Sequence, residues 1–302
     1  MERIPSVRIG IDLGGTKTEA IAIGRDGAVL VRRRVPTAVG DYAGTVRTVA
    51  DLVAGITAEL ENMAPAPTVG IGIPGTISPA TGLVKNANST WLIGRPLDRD
   101  LAAALGQPVR IANDADCFAL SEASDGAAAG DPVVFGVILG TGVGGGVVAH
   151  GRLLAGPNAI AGEWGHNPLP RCRDDERPGP ECYCGKHGCI ETFLSGPGLS
   201  RDHGCGLKPA DIVTAAAAGD KAAEASLCRY EERLARALAT VINIIDPHTI
   251  VLGGGLSNLT RLYESLPRRI PSFVFSDQVV TAIRPPRHGD SSGVRGAAWL
   301  WP

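Results

Sequence analysis

Short apolar runs that end in glycine turns recur along this chain, and their order predicts a duplicated α/β fold. Arg8–Asp12 reads as a short apolar strand entering Leu13-Gly14-Gly15-Thr16-Lys17-Thr18. Strand character resumes over Glu19–Ile23, and Arg25-Asp26-Gly27 reverses the chain into Ala28–Val31. The same order returns in the second half: a strand over Val133–Leu139, a glycine-rich bend over Gly140–Gly146, a strand over Val147–Ala149, then His150-Gly151 and Arg152–Leu154 as a hairpin. Between the two units, Tyr42–Glu61 has helical periodicity behind Asp41, a residue type suited to an N-cap. Thr68–Ile73 predicts a strand, the stretch from Lys85 to Trp91 a polar loop, and Val109–Asn113 a strand followed by an alanine-rich helix to about Ser124. Beyond the second unit, helices are predicted over Pro209–Ala218 and Lys221–Ile245, where Leu227, Leu234, Leu238 and Val241 keep helical spacing. A strand over Thr249–Leu252, a third glycine bend (Gly253, Gly254, Gly255), a helix beginning near Asn258 and a last helix over Gly293–Trp301 complete the pattern.

At 302 residues the chain exceeds one ordinary core, so two lobes are expected. The boundaries predicted are 1–115 and 116–289, with a terminal helix at 290–302 returning to the first lobe. Net charge is −2 and no long basic run occurs, which argues against nucleic acid and anionic membrane as partners. The triplet Arg32-Arg33-Arg34 reads as a solvated strand end. No apolar run approaches a membrane span, and Met1 leads into a strand without a secretory pattern, so the cytoplasm is the expected compartment. Cysteine usage agrees: seven is an odd count, three thiols share one segment, and Cys117, Cys172, Cys205 and Cys228 are scattered, so disulfides are not expected.

That one segment, 163–191, concentrates the distinctive chemistry. Cys182, Cys184 and Cys189 with the upstream His166 form a complete tetrahedral donor set for a structural zinc ion, and Gly185 and Gly188 supply the backbone freedom such close spacing needs. Cys172 and His187 lie near enough in sequence to replace a ligand. Glu163 and Glu191 flank the set, and together with His166, Asn88 and Asn113 they are the residue types that read vicinal sugar hydroxyls. The turns holding Gly14, Gly15, Thr16 and Lys17, and Thr141 and Gly142, can cradle phosphates with backbone N–H groups. Asp12 can hold a hydrated Mg²⁺ beside them, and Gly253–Gly255 offer bare backbone to an adenine. Asp114 follows a strand end and can act as a general base toward an attacking hydroxyl, or as a helix N-cap, or both; Asp116 reads as a first-turn acid favoured by the helix dipole.

With these residues in view, the chain resembles the ROK family (repressors, open reading frames and sugar kinases) over nearly its whole length. Asp12-Leu-Gly-Gly-Thr-Lys and Gly140-Thr-Gly-Val-Gly-Gly-Gly are similar to the family's two phosphate motifs, Glu163-Trp-Gly-His to its sugar motif, and Cys182-x-Cys-Gly-x-x-Gly-Cys-x-Glu191 to its zinc signature. The stretch 85–92 and the ending from His288 resemble the bacterial fructokinase or manno(fructo)kinase branch. The resemblance implies a duplicated actin-like, ribonuclease-H-like ATPase fold, sugar in the interlobe cleft, and a homodimer. It also implies Asp114 as base toward the C6 hydroxyl, and Asn88, Asn113, Glu163, His166 and Glu191 as sugar contacts, the last three organised by zinc. The charged loop from Arg171 to Pro180 departs from the family pattern, and bears on which groups close over the sugar.

The expected activity is therefore ATP- and Mg²⁺-dependent phosphorylation of a free hexose at C6, with fructose leading and mannose accepted. Glucose or an N-acetylhexosamine are the alternative substrates. A zinc-stabilised sugar-binding protein would have no use for Asp114 and two phosphate turns, and a repressor would need a DNA-binding module ahead of Val7.

Overall fold

A computed structural model of the protein describes residues 7–60, 66–204 and 206–301; Glu61, the expected end of the first long helix, and Cys205 lie outside them. The strands are β1 (Val7–Leu13), β2 (Lys17–Gly24), β3 (Val29–Pro36), β4 (Thr68–Ile73), the small pair β5 (Thr76–Ile77) and β6 (Val84–Lys85), β7 (Val109–Asn113), β8 (Val133–Leu139), β9 (Val143–Ala149), β10 (Arg152–Leu153), β11 (Thr249–Gly253) and β12 (Ala282–Arg284). The helices are α1 (Tyr42–Glu59), α2 (Leu97–Leu105), α3 (Asp114–Ser124), α4 (Ile190–Leu194), α5 (Gly196–His203), α6 (Pro209–Ala217), α7 (Lys221–Ile245), α8 (Arg261–Arg269) and α9 (Ser292–Ala298).

The duplication is visible in the strand order. One sheet runs β3-β2-β1-β4-β7 and the other β10-β9-β8-β11-β12. In each, the first three strands are antiparallel neighbours and the last two join in parallel. Ile9, Ile11, Val69 and Ile71 of the first sheet pack on Val49, Val53 and Ile56 of α1. The second sheet shares its core with Leu227, Leu234 and Leu238 of α7, at the positions the helical spacing marks.

Two helices, α3 and α9, fill the space between the sheets, and glycine determines how closely they sit. α9 lies on β1, β2 and β4, α3 lies on β8 and β9, and the two pack on each other. A Cβ at Gly70 would stand 1.9 Å from the Ala297 carbonyl oxygen, one at Gly136 2.6 Å from the Ala119 Cβ, and one at Gly296 1.6 Å from the Cys117 carbonyl oxygen. No side chain fits at such separations, so backbone touches backbone. The final residues are pinned as well: the Trp301 indole N–H donates to the Val69 carbonyl at 2.7 Å, and Arg110 donates to the Leu300 carbonyl at 2.6 Å.

Two expectations change. The bend after β8 is only Gly140–Gly142, because Gly144, Gly145 and Gly146 belong to β9. A Cβ at Gly146 would stand 2.8 Å from the Ala115 carbonyl oxygen, and one at Gly145 2.8 Å from the Trp164 ring, so these glycines serve packing. The arginine triplet is solvent-exposed, as expected, but lies inside β3 rather than at a strand end. Arg32 and Arg34 both pair with the buried Glu19 of β2, whose charge is thereby matched.

Candidate active site

Asp114 stands where β7 turns into α3. The N-cap is its neighbour: the Asn113 side-chain oxygen accepts from the Ala115 N–H at 2.9 Å, from an extended backbone. Asp114 is the first helical residue, and one of its carboxylate oxygens accepts from the same N–H at 2.8 Å. Solvent reaches this side chain, yet the surrounding protein pushes its pKa up; the Ala115 bond opposes that rise and the nearby Glu163 charge adds to it. Asn113 has its oxygen committed to the cap, and its amide nitrogen lies 3.4 Å from the Gly75 carbonyl.

Two more carboxylates share this neighbourhood with Asp114 and Glu163. Asp12, near the end of β1, is raised to about 6, first by burial and then by Asp114 and Glu19, against opposing Lys17 and Arg34. Asp116, one α3 residue beyond Ala115, is raised to about 7 by burial, Glu163 and Asp114. None of the described hydrogen bonds engages Asp12, and a half-buried acid beside a second acid is a setting that a hydrated divalent cation relieves. That donor set fits Mg²⁺ arriving with a nucleotide.

The two phosphate-type turns are built differently. In the first, the Gly14 N–H donates to the Lys17 carbonyl at 3.1 Å and the Thr37 hydroxyl holds the Gly14 carbonyl at 2.8 Å, leaving Gly15, Thr16 and Lys17 exposed. In the second, Gly140 bonds Gly142 at 3.0 Å and accepts from the Gly196 N–H at 2.8 Å. Gly140 and Thr141 line a cleft of about 740 Å³, a size suited to a nucleotide, together with Gly255, Leu256, Asn258 and Leu259. Of the three successive glycines after Leu252, only Gly255 lines it. A Cβ at Gly253 would stand 2.5 Å from the Phe118 ring, and one at Gly254 2.5 Å from the Leu139 carbonyl oxygen. The opposite wall, including Ser200, Lys208 and Pro209 at the start of α6, is absent from the sequence reading because no motif marks it.

His166, Cys182, Cys184 and Cys189 come together with all four donor atoms within 4.8 Å of one another. The Cys184 and Cys189 sulfurs are 3.6 Å apart, and the Cys182 sulfur lies 3.5 Å from His166 Nδ1. Four N and S donors at this spacing fit a closed tetrahedral zinc site. Gly185 and Gly188 take φ of 84° and 68°, which ligand loops this short require. Cys172 instead donates to the Leu169 carbonyl, and His187 lies beside Glu181. His166 Nε2, expected to be free for substrate, has a partner: it is 2.9 Å from the Tyr183 hydroxyl, a residue the sequence reading passed over although it sits between two ligands.

Both carboxylates that flank the metal group are positioned by glycine contacts. Glu191 accepts from the Val143 N–H at 2.9 Å, and a Cβ at Gly142 would stand 2.6 Å from that carboxylate oxygen. Glu163 precedes a short turn that is docked on β9, where the Trp164 indole donates to the Gly144 carbonyl at 2.9 Å and a Cβ at Gly165 would stand 2.1 Å from the Val143 carbonyl oxygen. Asn88 is exposed in the loop after β6, and none of the described hydrogen bonds engages its side chain. The charged loop from Arg171 to Pro180 is not free to close over a ligand. Glu176 is buried against Arg233 and Arg236 of α7 at 2.8 and 2.7 Å, and the Pro180 carbonyl accepts from the Gly188 N–H at 2.9 Å.

Comparison with known proteins matches this geometry. Residues 8–302 match the ROK family profile. The chain is 41% identical over 299 residues to the N-acetyl-D-glucosamine kinase of Vibrio vulnificus strain YJ016, covering 96% of this chain and 98% of that one. It is 40% identical over 300 residues to the enzyme of the same name from Yersinia pseudotuberculosis serotype O:3, covering 96% and 97%. Among solved structures, the ROK hexokinase from Thermus thermophilus superposes with a TM-score of 0.84 at 29% identity, over 98% of this chain and 97% of that one. The ROK glucokinase from Streptomyces griseus, in complex with glucose and AMPPNP, gives 0.76 at 26% identity, over 98% and 99%. The duplicated α/β architecture is thus the actin-like ATPase fold of these kinases.

Proposed function

Because this chain belongs to the ROK family and is about 40% identical to N-acetyl-D-glucosamine kinases over nearly its whole length, we propose that it transfers the γ-phosphoryl group of ATP to the C6 hydroxyl of N-acetyl-D-glucosamine. The observation that carries the choice of sugar is the 41% identity, spread over nearly both whole chains, to an N-acetyl-D-glucosamine kinase. This displaces fructose, which the loop at 85–92 and the C-terminal stretch favoured on resemblance alone. Glucose is the second reading, supported by the likeness to the glucose-bound ROK glucokinase.

In this reading Asp114 is the general base. It accepts the C6 hydroxyl proton as that oxygen attacks the γ-phosphorus, and its raised pKa brings it nearer the proton affinity the task needs. Glu163, His166 and Glu191 form one sugar-reading face, with Asn88 and the Asn113 amide on the other side. The exposed N–H groups of the turns at Gly14–Lys17 and Gly140–Gly142 take the phosphates, and the cleft at Gly255 takes the adenine. Mg²⁺, held near Asp12, would neutralise phosphate charge. Zinc, held by His166, Cys182, Cys184 and Cys189, would keep the sugar face in register and take no part in transfer. A coupled ADP-release assay across N-acetylglucosamine, glucose, mannose and fructose tests the assignment. The highest kcat/KM is expected for N-acetylglucosamine, and a higher value for fructose would restore the other reading.

A further inference from the structure

Among the described residues that line the cleft at Gly140, Thr141 and Gly255, Lys208 carries the one ionisable side chain, and no carboxylate faces it there. Its side chain is exposed, and no hydrogen bond or ion pair engages the ammonium among the described residues. The position is also a poor one for the local fold. Lys208 is the N-cap of α6, at φ −72° and ψ 155°, and its side chain makes no cap bond, because lysine has no acceptor to offer the free N–H groups. A cation there also meets the positive end of the helix dipole. Serine, threonine, aspartate or asparagine would serve the start of α6 better, so lysine answers to something other than helix stability.

Packing sets this lysine beside the second phosphate-type turn. The Gly140 carbonyl oxygen and the Pro209 Cγ each stand 3.4 Å from the point that a Cβ at Gly196 would occupy, and the Gly196 N–H donates to that carbonyl at 2.8 Å. Pro209 follows Lys208 directly, so the start of α6 flanks the Gly140–Gly142 turn within reach of a flexible four-carbon stem. Adenine and ribose are uncharged, and the apolar wall of Pro197, Val213, Leu256 and Leu259 suits the base. The phosphate tail is the part of ATP that an unpaired ammonium and a helix N-terminus both favour. We infer that Lys208 is a nucleotide-binding residue, its ammonium pairing with the phosphate tail of ATP from the wall opposite Gly255. The inference rests on the ATP-dependent kinase reading given above.

The test measures the inhibition constants of ADP and adenosine against ATP, at a fixed excess of Mg²⁺, for wild type, Lys208→Met and Lys208→Arg. Met keeps the length and the apolar stem and removes the charge, whereas Arg keeps the charge. In Lys208→Met the ADP constant is expected to rise about tenfold or more, the scale of one charge-assisted hydrogen bond, while the adenosine constant moves by less than about twofold. Lys208→Arg should hold the ADP constant within about threefold of wild type. A rise of equal size for ADP and adenosine would overturn the inference in favour of a contact to the base or the wall. An unchanged ADP constant in Lys208→Met, or an equal loss in Lys208→Arg, would overturn it as well. A wild type that neither turns over ATP nor binds ADP would instead overturn the kinase reading, so the two failures are distinct.

Discussion

The Glu191 carboxylate accepts the Val143 N–H at 2.9 Å, joining the helix that follows the last metal ligand to the strand that leaves the second phosphate-type turn. On the function proposed above, this one contact ties the sugar side of the site to the nucleotide side. Glu191→Ala should raise KM for both sugar and ATP, the sugar by tenfold or more, since a buried N–H loses its acceptor. Gly142→Ala should do the same more mildly, because its Cβ would stand 2.6 Å from the same oxygen. Steady-state kinetics in both substrates reads this out; a change confined to one KM would contradict the linkage.

Asp114→Asn should lower kcat by about 10²–10⁴, the range for a positioned general base, and leave the sugar Kd from calorimetry within about threefold. Asn can still accept from Ala115, so α3 keeps its start. A variant with near-normal kcat would remove Asp114 from the base role.

The Asp116 carboxyl, raised to about 7, predicts a pH-dependent stability. Its folded pKa lies above the ordinary carboxylate value, so the protonated form favours folding and the contribution is lost as pH rises through about 7. Asp116→Asn should therefore be more stable than wild type at pH 8, by about 1–3 kcal/mol, with the difference shrinking toward pH 4. Denaturant melts at the two pH values measure it; a difference that grows on acidification would refute the burial argument.

Removing zinc with a chelator should raise KM for sugar well above any effect on KM for ATP, since the four ligands brace the turn after Glu163 and the helix bearing Glu191. Re-addition of zinc should restore it. Unchanged sugar KM in metal-free protein would detach the metal from substrate reading.

Burial opposes ionisation of Glu176, but bonds from Arg236 and Arg233 outweigh it and hold its carboxyl down at about 2. The contribution is thus present above the ordinary carboxylate pKa and is lost as pH falls from about 4.5 toward 2. Glu176→Gln should cost about 3–5 kcal/mol near neutral pH, the scale of leaving buried partners unpaired. Chemical denaturation reads this, and a near-neutral result would mean that the loop is not held through this residue.

Periodicity was enough to place β8, α3, α6 and α7 nearly to the residue, because a helix buries a face every 3.6 residues and a strand every two. The ligand group His166, Cys182, Cys184 and Cys189 was legible for a related reason: short spacing with glycines at Gly185 and Gly188 brings the thiols together locally, and only the histidine comes from farther away. Contacts between distant segments were not legible. Nothing in Gly145 or Gly146 distinguishes a phosphate turn from a strand on which Trp164 and α3 must sit, and nothing in Asn113-Asp114 says which of the two caps the helix. The Glu191–Val143 bond, the Tyr183–His166 pair and the anchoring of Glu176 on α7 join residues 17 to 60 positions apart. Local propensity carries no information about such distances. They are decided when the sheets and helices pack, because only packing brings residues so far apart in the chain into contact.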